Sequence, residues 1–293
     1  MTFGITGNTH KVRLWEPVGD LVNWFASKQI AYRVHPGVAK GLLSRGTVSP
    51  ALLNAANTFS SFSEEVDVLL SFGGDGTLLN TIHKIERKGT PVLGVNIGRL
   101  GFLADVEVGN VREAVERIME DQYRIEHRMV LQADIENDSP DVHTWAMNEF
   151  TVQKSVESGM LSVEVKVDGI LLNTYWSDGL IIATPTGSTA YSMAVGGPIL
   201  VPGCGAVVLT PLAAHALTAR PIILADTAML EIRTFSDGHP YVFTADGNST
   251  VLSQMERTIT VRRADHTINL VKMLDKEYFQ TLRSKLMWGA RKT

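Results

Sequence analysis

The chain has 293 residues, 44% hydrophobic and 20% charged, an ordinary globular composition that sets aside disulfide-stapled, collagenous and disordered classes. At about 150 residues per domain there is room for two domains or one large one, and a chain of this size buries roughly 75% of the surface its unfolded form exposes. With 27 Lys and Arg against 31 Asp and Glu the net charge is −4 and no basic block stands out, so the electrostatic footprint of a nucleic-acid groove is missing and no nucleic-acid partner is expected.

The opening Met1-Thr-Phe-Gly-Ile-Thr-Gly-Asn lacks the basic start and apolar stretch of a secretory signal and reads as a first strand. Residues 66–72, Val-Asp-Val-Leu-Leu-Ser-Phe, predict a strand, and residues 78–86 a helix, with a turn between them. Residues 91–96 predict the next strand, and Val111, Val115, Ile118 and Met119 have helical spacing. Repeated strand–helix order implies a mostly parallel, doubly wound, Rossmann-like α/β sheet. Ligands of such sheets bind at the carboxyl ends of the strands, where the turn after Phe72 lies.

The period changes after about Glu126, so a domain boundary is expected near residue 125. Residues 161–167 alternate strictly, Asp168-Gly169 is a dipeptide of tight hairpins, and residues 170–176 can pair back. Further strands are expected at 180–183, 229–234, 258–262 and 267–273, which makes this part β-rich. Residues 193–219 contain no Asp, Glu, Lys or Arg and exceed the about 20 residues that cross a bilayer. Their glycines and prolines, among them Gly196, Gly197, Pro198, Pro202 and Pro211, would interrupt a spanning helix, so buried loop and strand are expected and no membrane partner. The single cysteine, Cys204, cannot close an intrachain disulfide, which fits a reducing, cytoplasmic setting. Residues 278–287 predict a last helix with Phe279, Leu282 and Leu286 on one face.

Three stretches can carry chemistry. Gly73-Gly74-Asp75-Gly76-Thr77 lies between strand and helix, where glycines let backbone N–H groups approach a ligand and the helix N-terminus favours phosphate. Asp75 is repulsive beside phosphate unless it binds a metal or accepts a proton, both of which phosphoryl transfer needs. The alternative is a plain strand-to-helix turn capped by Thr77 or Asp75. Residues 184–192, Thr-Pro-Thr-Gly-Ser-Thr-Ala-Tyr-Ser, gather five hydroxyls and a ring. They suit a sugar or base edge with Tyr191 stacked on a flat ring, unless the hydroxyls serve their own turns. Asn148-Glu149 interrupts the apolar run 145–152 and offers an amide and a carboxylate to ribose hydroxyls. The alternative is an edge strand with one of the pair facing solvent.

Several motifs are missing: the G-x-x-x-x-G-K-[ST] loop, the G-x-G-x-x-G fingerprint, the G-x-S-x-G elbow and any cysteine-based metal spacing. The eight histidines include no pair four apart, so no intrinsic zinc site is expected and His215 is read as packing or capping. Any metal is expected to arrive on nucleotide phosphates, as Mg²⁺ does.

These residues together resemble the NAD kinase family through almost the whole chain. Gly73-Gly-Asp-Gly-Thr77 is similar to its GGDG turn and Asn148-Glu149 to its NE/D pair. Ser177-Asp-Gly-Leu-Ile-Ile-Ala-Thr-Pro-Thr-Gly-Ser-Thr-Ala-Tyr-Ser192, continuing to Gly196-Gly-Pro198, resembles its longest and most specific signature. Gly98-Arg-Leu-Gly-Phe-Leu-Ala-Asp105 and residues 215–221 also fit. The resemblance implies transfer of the γ-phosphoryl group of ATP to the 2′-hydroxyl of the adenosine ribose of NAD, giving NADP. A divalent metal such as Mg²⁺ would assist, and polyphosphate is a possible donor.

By position, Asp75 would accept the proton. Asn148 and Glu149 would hold the adenosine, and Thr189, Ala190 and Tyr191 would line the adenine pocket. Asp178 would approach the nicotinamide end, with Gly76, Ser192, Ala194 and Asn248 also on the NAD side. Gly73, Gly74, Gly76 and Thr77 would face phosphate. The family fold implies an α/β domain over residues 1–125, a β-sandwich-like domain over 126–273 and a C-terminal helix, 274–293, returning to the first. It also implies a homodimer or homotetramer with shared sites. Asn80 and Trp176 stand where many members carry a basic residue, and Asp246-Gly-Asn248 replaces a frequent Asp-Gly-Gln. Each lost charge-assisted bond is worth about 1.5–3 kcal/mol, which leaves donor choice and NAD-versus-NADH selectivity open.

Two rivals remain at this level. A related kinase acting on a lipid or sugar is disfavoured by the Asn-Glu pair and the Thr-rich loop. A dinucleotide-binding regulator without turnover is disfavoured by Asp75, from which a pure binder gains nothing.

Overall fold

The computed structural model describes residues 1–59, 66–85, 87–98, 101–104, 106–136, 142–155, 161–235, 239–252 and 257–289. In chain order its elements begin with β1 (Thr2–Gly7), α1 (Trp15–Lys28), β2 (Ala31–Val34), α2 (Pro36–Ser44), β3 (Val68–Gly73), α3 (Asp75–Ile85), β4 (Val92–Asn96), β5 (Val106–Glu107) and α4 (Val111–Met119). Strands then dominate: β6 (Tyr123–Ile135), β7 (Trp145–Ala146), β8 (Glu149–Lys154), β9 (Leu161–Val167), β10 (Ile170–Ser177) and β11 (Gly179–Ala183). A single turn of helix, α5 (Tyr191–Ala194), precedes β12 (Ala206–Leu212), β13 (Ile222–Ala225), β14 (Leu230–Phe235), β15 (Tyr241–Ala245), β16 (Asn248–Leu252), β17 (Thr258–Met273) and α6 (Tyr278–Leu286). The chain divides into two units, one of Met1–His127 with Ile268–Thr293 and the other of Arg128–Thr267.

In the first unit β2, β1, β3 and β4 pair in that order, all parallel, and β5 and the end of β17 join β4 in parallel too. Every residue of β3 and β4 is buried, as parallel strands covered on both faces require. Helix α1 buries Trp15, Val18, Leu21, Val22 and Phe25, and α3 buries Leu78, Ile82 and Ile85 at helical spacing. Helix α6 departs from the expected face: Leu282 alone is buried and Phe279 is exposed. One turn of this short helix meets the core instead of a full stripe.

The second unit is a sandwich. A six-stranded antiparallel sheet runs β13-β12-β11-β8-β15-β16, and β10-β9-β14-β17 form an antiparallel ribbon. One core takes Phe150, Val152, Leu180, Ile182 and Phe243 from the sheet and Leu161, Val163, Val165, Ile232 and Ile259 from the ribbon. The rings of Phe150 and Phe243 stack with centroids 5.1 Å apart. On the opposite face of β11, Ile181 and Ala183 pack with Leu200, Val208 and Leu212. The apolar run of β11 is therefore buried on both sides. The hairpin between β9 and β10 turns at Asp168 and Gly169, with φ of 51° and 80°, the left-handed pair that Asp-Gly favours.

The expected fold class, α/β followed by a β-sandwich, is the one observed. Three local expectations are corrected. Helix α3 starts at Asp75, inside the glycine-rich stretch. The strands expected at 258–262 and 267–273 are one 16-residue strand. Its polar middle contains no Gly or Pro, and Arg263 pairs with Asp226 while the His266 ring meets Trp145 edge-on at 5.8 Å. His215 neither packs nor caps: its side chain is exposed, and its backbone N–H donates to the Trp176 carbonyl at 2.9 Å. Among the described residues no helix is long and apolar enough to cross a membrane.

Candidate active site

Only Gly74 separates the end of β3 from the start of α3. A Cβ on Gly73 would come within 2.2 Å of the Thr77 hydroxyl oxygen, so the tight turn itself demands glycine there. Gly74 and Gly76 are different. A Cβ on either would meet nothing within 4 Å, and neither has a left-handed φ. Packing and conformation leave those two positions free to carry a side chain, and glycine keeps their backbone open to an approaching group.

Asp75, the first residue of α3, turns its carboxylate onto the segment after β4. Its Oδ2 accepts the N–H of Phe102 at 2.8 Å, and its Oδ1 accepts those of Leu103 at 3.1 Å and Ala104 at 3.0 Å. A Cβ on Gly101 would lie 1.8 Å from Oδ1, so only glycine tolerates this grip. Three amide donors hold the carboxylate in one orientation. The next two residues of α3, Gly76 and Thr77, line a cavity of about 400 Å³ together with Asn8, His10, Asn80 and Lys84. His35 also lines it, and burial first, then the charge of Lys84, pushes its imidazole below the usual range. Amide, hydroxyl and ammonium groups around an open helix N-terminus suit a phosphate-bearing guest.

In the second unit the Asn148-Glu149 pair sits where β8 begins. The strand is interior, flanked by β11 and β15, and both residues are buried. The edge-strand alternative therefore fails. Their backbone is clamped from one side by Asp246, whose carboxylate accepts the N–H groups of Met147, Asn148 and Glu149 at 2.7, 2.7 and 3.1 Å. From the other side Thr184 donates its hydroxyl to the Met147 carbonyl at 2.6 Å and its N–H to the Asn148 carbonyl at 2.9 Å. A Cβ on Gly187 would reach within 2.1 Å of that Asn148 oxygen.

Among the described residues, Asn148 Oδ1 and Glu149 Oε2 are buried without a hydrogen-bond partner. Each such atom costs about 1–3 kcal/mol until something fills the need. Burial, reinforced by the negative Asp246 and opposed by the Tyr191 N–H, raises the Glu149 carboxyl to about 8.

The Thr-rich loop has all five of its Thr and Ser hydroxyls bonded within the protein. Besides Thr184, Ser188 donates to the Pro185 carbonyl, Thr189 to the Thr186 carbonyl, Ser192 pairs with Thr210, and Thr186 accepts from Arg128. Ser188 and Thr189 close the turn, and Thr184, Thr186 and Ser192 fasten it to Met147, Arg128 and Thr210. Tyr191 is 40% exposed, and its hydroxyl accepts from Gln153 Nε2 at 3.1 Å. Thr189 and Ala190 are half-buried beside it, Ala194 is exposed and Ser192 is buried. Asp178 is tied to Lys154, Nζ to Oδ1 2.7 Å. Asn248 is half-buried at the start of β16, two residues beyond Asp246.

Sequence reasoning did not assign roles to Asp246 or to Gly101 and the segment it leads. The signal for the first was its place in the Asp-Gly turn between β15 and β16, and for the second the paired glycines of Gly98-Arg-Leu-Gly101. Arg99, Leu100 and Asp105 of that stretch lie outside the described residues.

Residues 8–123 match the family described as ATP-NAD kinase N-terminal domain, and residues 147–273 the one described as ATP-NAD kinase C-terminal domain. A protein named NAD kinase from Chlorobium limicola is 35% identical over 289 residues, 99% of this chain and 97% of its own length. One of the same name from Bacteroides fragilis is 41% identical over 238 residues, 81% of this chain and 82% of its own. Among solved structures, yeast NADH kinase complexed with NADH is similar with a TM-score of 0.89 at 23% identity, covering 100% of this chain and 89% of that one. An NAD kinase from Archaeoglobus fulgidus in complex with ATP has a TM-score of 0.75 at 22% identity, covering 98% and 99%. These two likenesses show a common fold.

Proposed function

The chain belongs to the NAD kinase family of ATP-dependent phosphotransferases, and from that premise we propose that it phosphorylates the 2′-hydroxyl of the adenosine ribose of NAD with Asp75 as the proton acceptor. The observation that carries the reading is a carboxylate held in one orientation at the mouth of α3, next to two glycines whose side-chain positions are open. A ribose hydroxyl is a poor nucleophile at neutral pH. A carboxylate within about 2.6–3.2 Å can take its proton while the oxygen bonds to the γ-phosphorus and the bond to the β-phosphate oxygen breaks. ADP leaves, and NADP remains.

Gly73, Gly74, Gly76 and Thr77 are assigned to the donor phosphates; Gly76 and Thr77 line the cavity together with Lys84 and His10. Its amides, hydroxyls and ammonium group suit phosphate oxygens better than a bare cation, so a Mg²⁺ ion would be held by the phosphates it arrives on. When bound, such an ion neutralises charge on the transferring group. Asn148 and Glu149 are assigned to the acceptor's ribose, whose hydroxyls can donate to their unpartnered buried oxygens. The exposed ring of Tyr191 is assigned to the adenine, with Thr189, Ala190, Ser192 and Ala194 at its edge. Asn248 and Asp178 complete the acceptor side.

The test is Asp75→Asn, which keeps the shape and removes the basic oxygen. Turnover is expected to fall about 10²–10⁴-fold, while NAD binding by calorimetry stays near wild type. Near-normal turnover in this variant would overturn the proton-acceptor assignment.

A further inference from the structure

Lys272 lies one residue before the end of β17, in a run of four buried residues, and is itself 4% exposed. Its neighbours Val271 and Met273 belong to the apolar core of the first unit. An apolar side chain would fill this position without the several kcal/mol, roughly, that burying a cation costs. The lysine is there with a defined partner: its Nζ donates to the Leu103 carbonyl at 3.0 Å.

That carbonyl belongs to the peptide whose N–H is the Ala104 amide, and the Ala104 amide donates to Asp75 Oδ1 at 3.0 Å. A cation on the oxygen of a peptide withdraws electron density from its nitrogen and strengthens the N–H as a donor. The segment is also pinned mechanically. Gly101 N–H donates to the Ala104 carbonyl at 3.2 Å, and a Cβ on Gly94 of β4 would come within 2.7 Å of the Ala104 Cα. The same peptide is therefore charged at one end by Lys272, seated on β4 by Ala104, and joined at its N–H to Asp75.

We propose that Lys272 is a positioning residue for phosphoryl transfer, acting on Asp75 through the Leu103–Ala104 peptide. This rests on the reading of Asp75 as proton acceptor. Lys272 touches neither substrate in that scheme; it sets where the carboxylate points and how firmly it is held. Removing the ammonium frees the Leu103 carbonyl and loosens the amides that orient the carboxylate. A shift of the order of an ångström at a reacting group costs up to about a hundredfold in rate.

The experiment compares full-length wild type, Lys272→Met, Lys272→Arg and Asp75→Asn in NADP formation from NAD and ATP. The Michaelis constants for both substrates and the melting temperature are measured alongside. Lys272→Met is expected to lower kcat about tenfold to a hundredfold with both Michaelis constants within about twofold, and Lys272→Arg to recover most of the loss. Wild-type kcat in Lys272→Met would overturn the proposal, as would a loss that Arg does not recover or one spread equally over kcat and both Michaelis constants. If Lys272→Met does not fold, Lys272→Gln is set against Lys272→Arg, and equal kcat in these two sinks the idea. Asp75→Asn separates the two claims. Retained turnover there removes the proton-acceptor reading, whereas its loss beside an unaffected Lys272→Met removes only the role of Lys272.

Discussion

Asp75 and Asp246 have the same local geometry in two different units. Each carboxylate accepts the N–H groups of three successive residues, 102–104 for Asp75 and 147–149 for Asp246. Asp246 places negative charge beside Glu149, and together with burial this raises the Glu149 carboxyl from 4.5 to about 8. Glu149 is thus mostly protonated at neutral pH. Its folded value lies above its unfolded one, so the stability it contributes is complete below pH 4.5 and is lost as pH rises through about 8. The melting temperature of the wild type should therefore fall relative to that of Glu149→Gln across this window. Parallel melting curves for the two proteins would mean that Glu149 ionises as an ordinary carboxyl. Tyr191 makes a second prediction at this scale. Stacking on a base is worth about 1–3 kcal/mol, so Tyr191→Ala should raise the Michaelis constant for NAD roughly fivefold or more. The constant for ATP should move far less, and equal rises in both would remove the ring from the adenine pocket.

Among the elements, the β15–β16 hairpin shows how a turn sets a site at the far end of another strand. Asp246 and Gly247 have φ of 46° and 87°, so both central residues are left-handed, and this conformation turns the Asp246 carboxylate onto the start of β8. Asp246→Ala leaves three N–H groups without their acceptor at about 1–3 kcal/mol each, less than additively. It is expected to lower the melting temperature and weaken NAD binding together. A variant that loses neither would show that Thr184 and the pairing with β11 and β15 hold the start of β8 without Asp246. Much of the element order was legible beforehand. The alternation at residues 161–167 and the Asp168-Gly169 turn predict their hairpin, because period and turn chemistry are local properties. The single strand β17 was not legible, since the partners that carry it through Arg263 and His266 are Asp226 and Trp145, far away in sequence.

For the molecule as a whole the acceptor class is the decisive property. On the proposed assignment the buried, unpartnered atoms of Asn148 and Glu149 receive the hydroxyls of a nucleoside ribose, and a lipid acceptor is not expected. With Mg²⁺ and ATP present, NADP is expected to form from NAD, while diacylglycerol or sphingosine stays unphosphorylated. Phosphorylation of either lipid at a comparable rate would contradict the assignment of the pair. Net charge −4 is no obstacle to the proposed reading, in which phosphate would be met by local amides and by Lys84 instead of a basic surface.

Sequence by itself determined the order of an α/β part and a β-rich part, the glycine-rich turn with its odd carboxylate, and the polar pair inside an apolar strand. Each is written in hydrophobic period, in glycine placement or in a polar residue where an apolar one belongs. Tertiary structure decided what those residues do. The hydroxyls of Thr184, Thr186 and Ser192 tie their loop to Met147, Arg128 and Thr210, Asp246 grips β8 from 97 to 99 residues away, and Lys272 reaches Leu103 across 169 residues. Hydrogen bonds of that separation leave no periodic trace in a sequence, because they depend only on where the folded backbone brings a donor and an acceptor together.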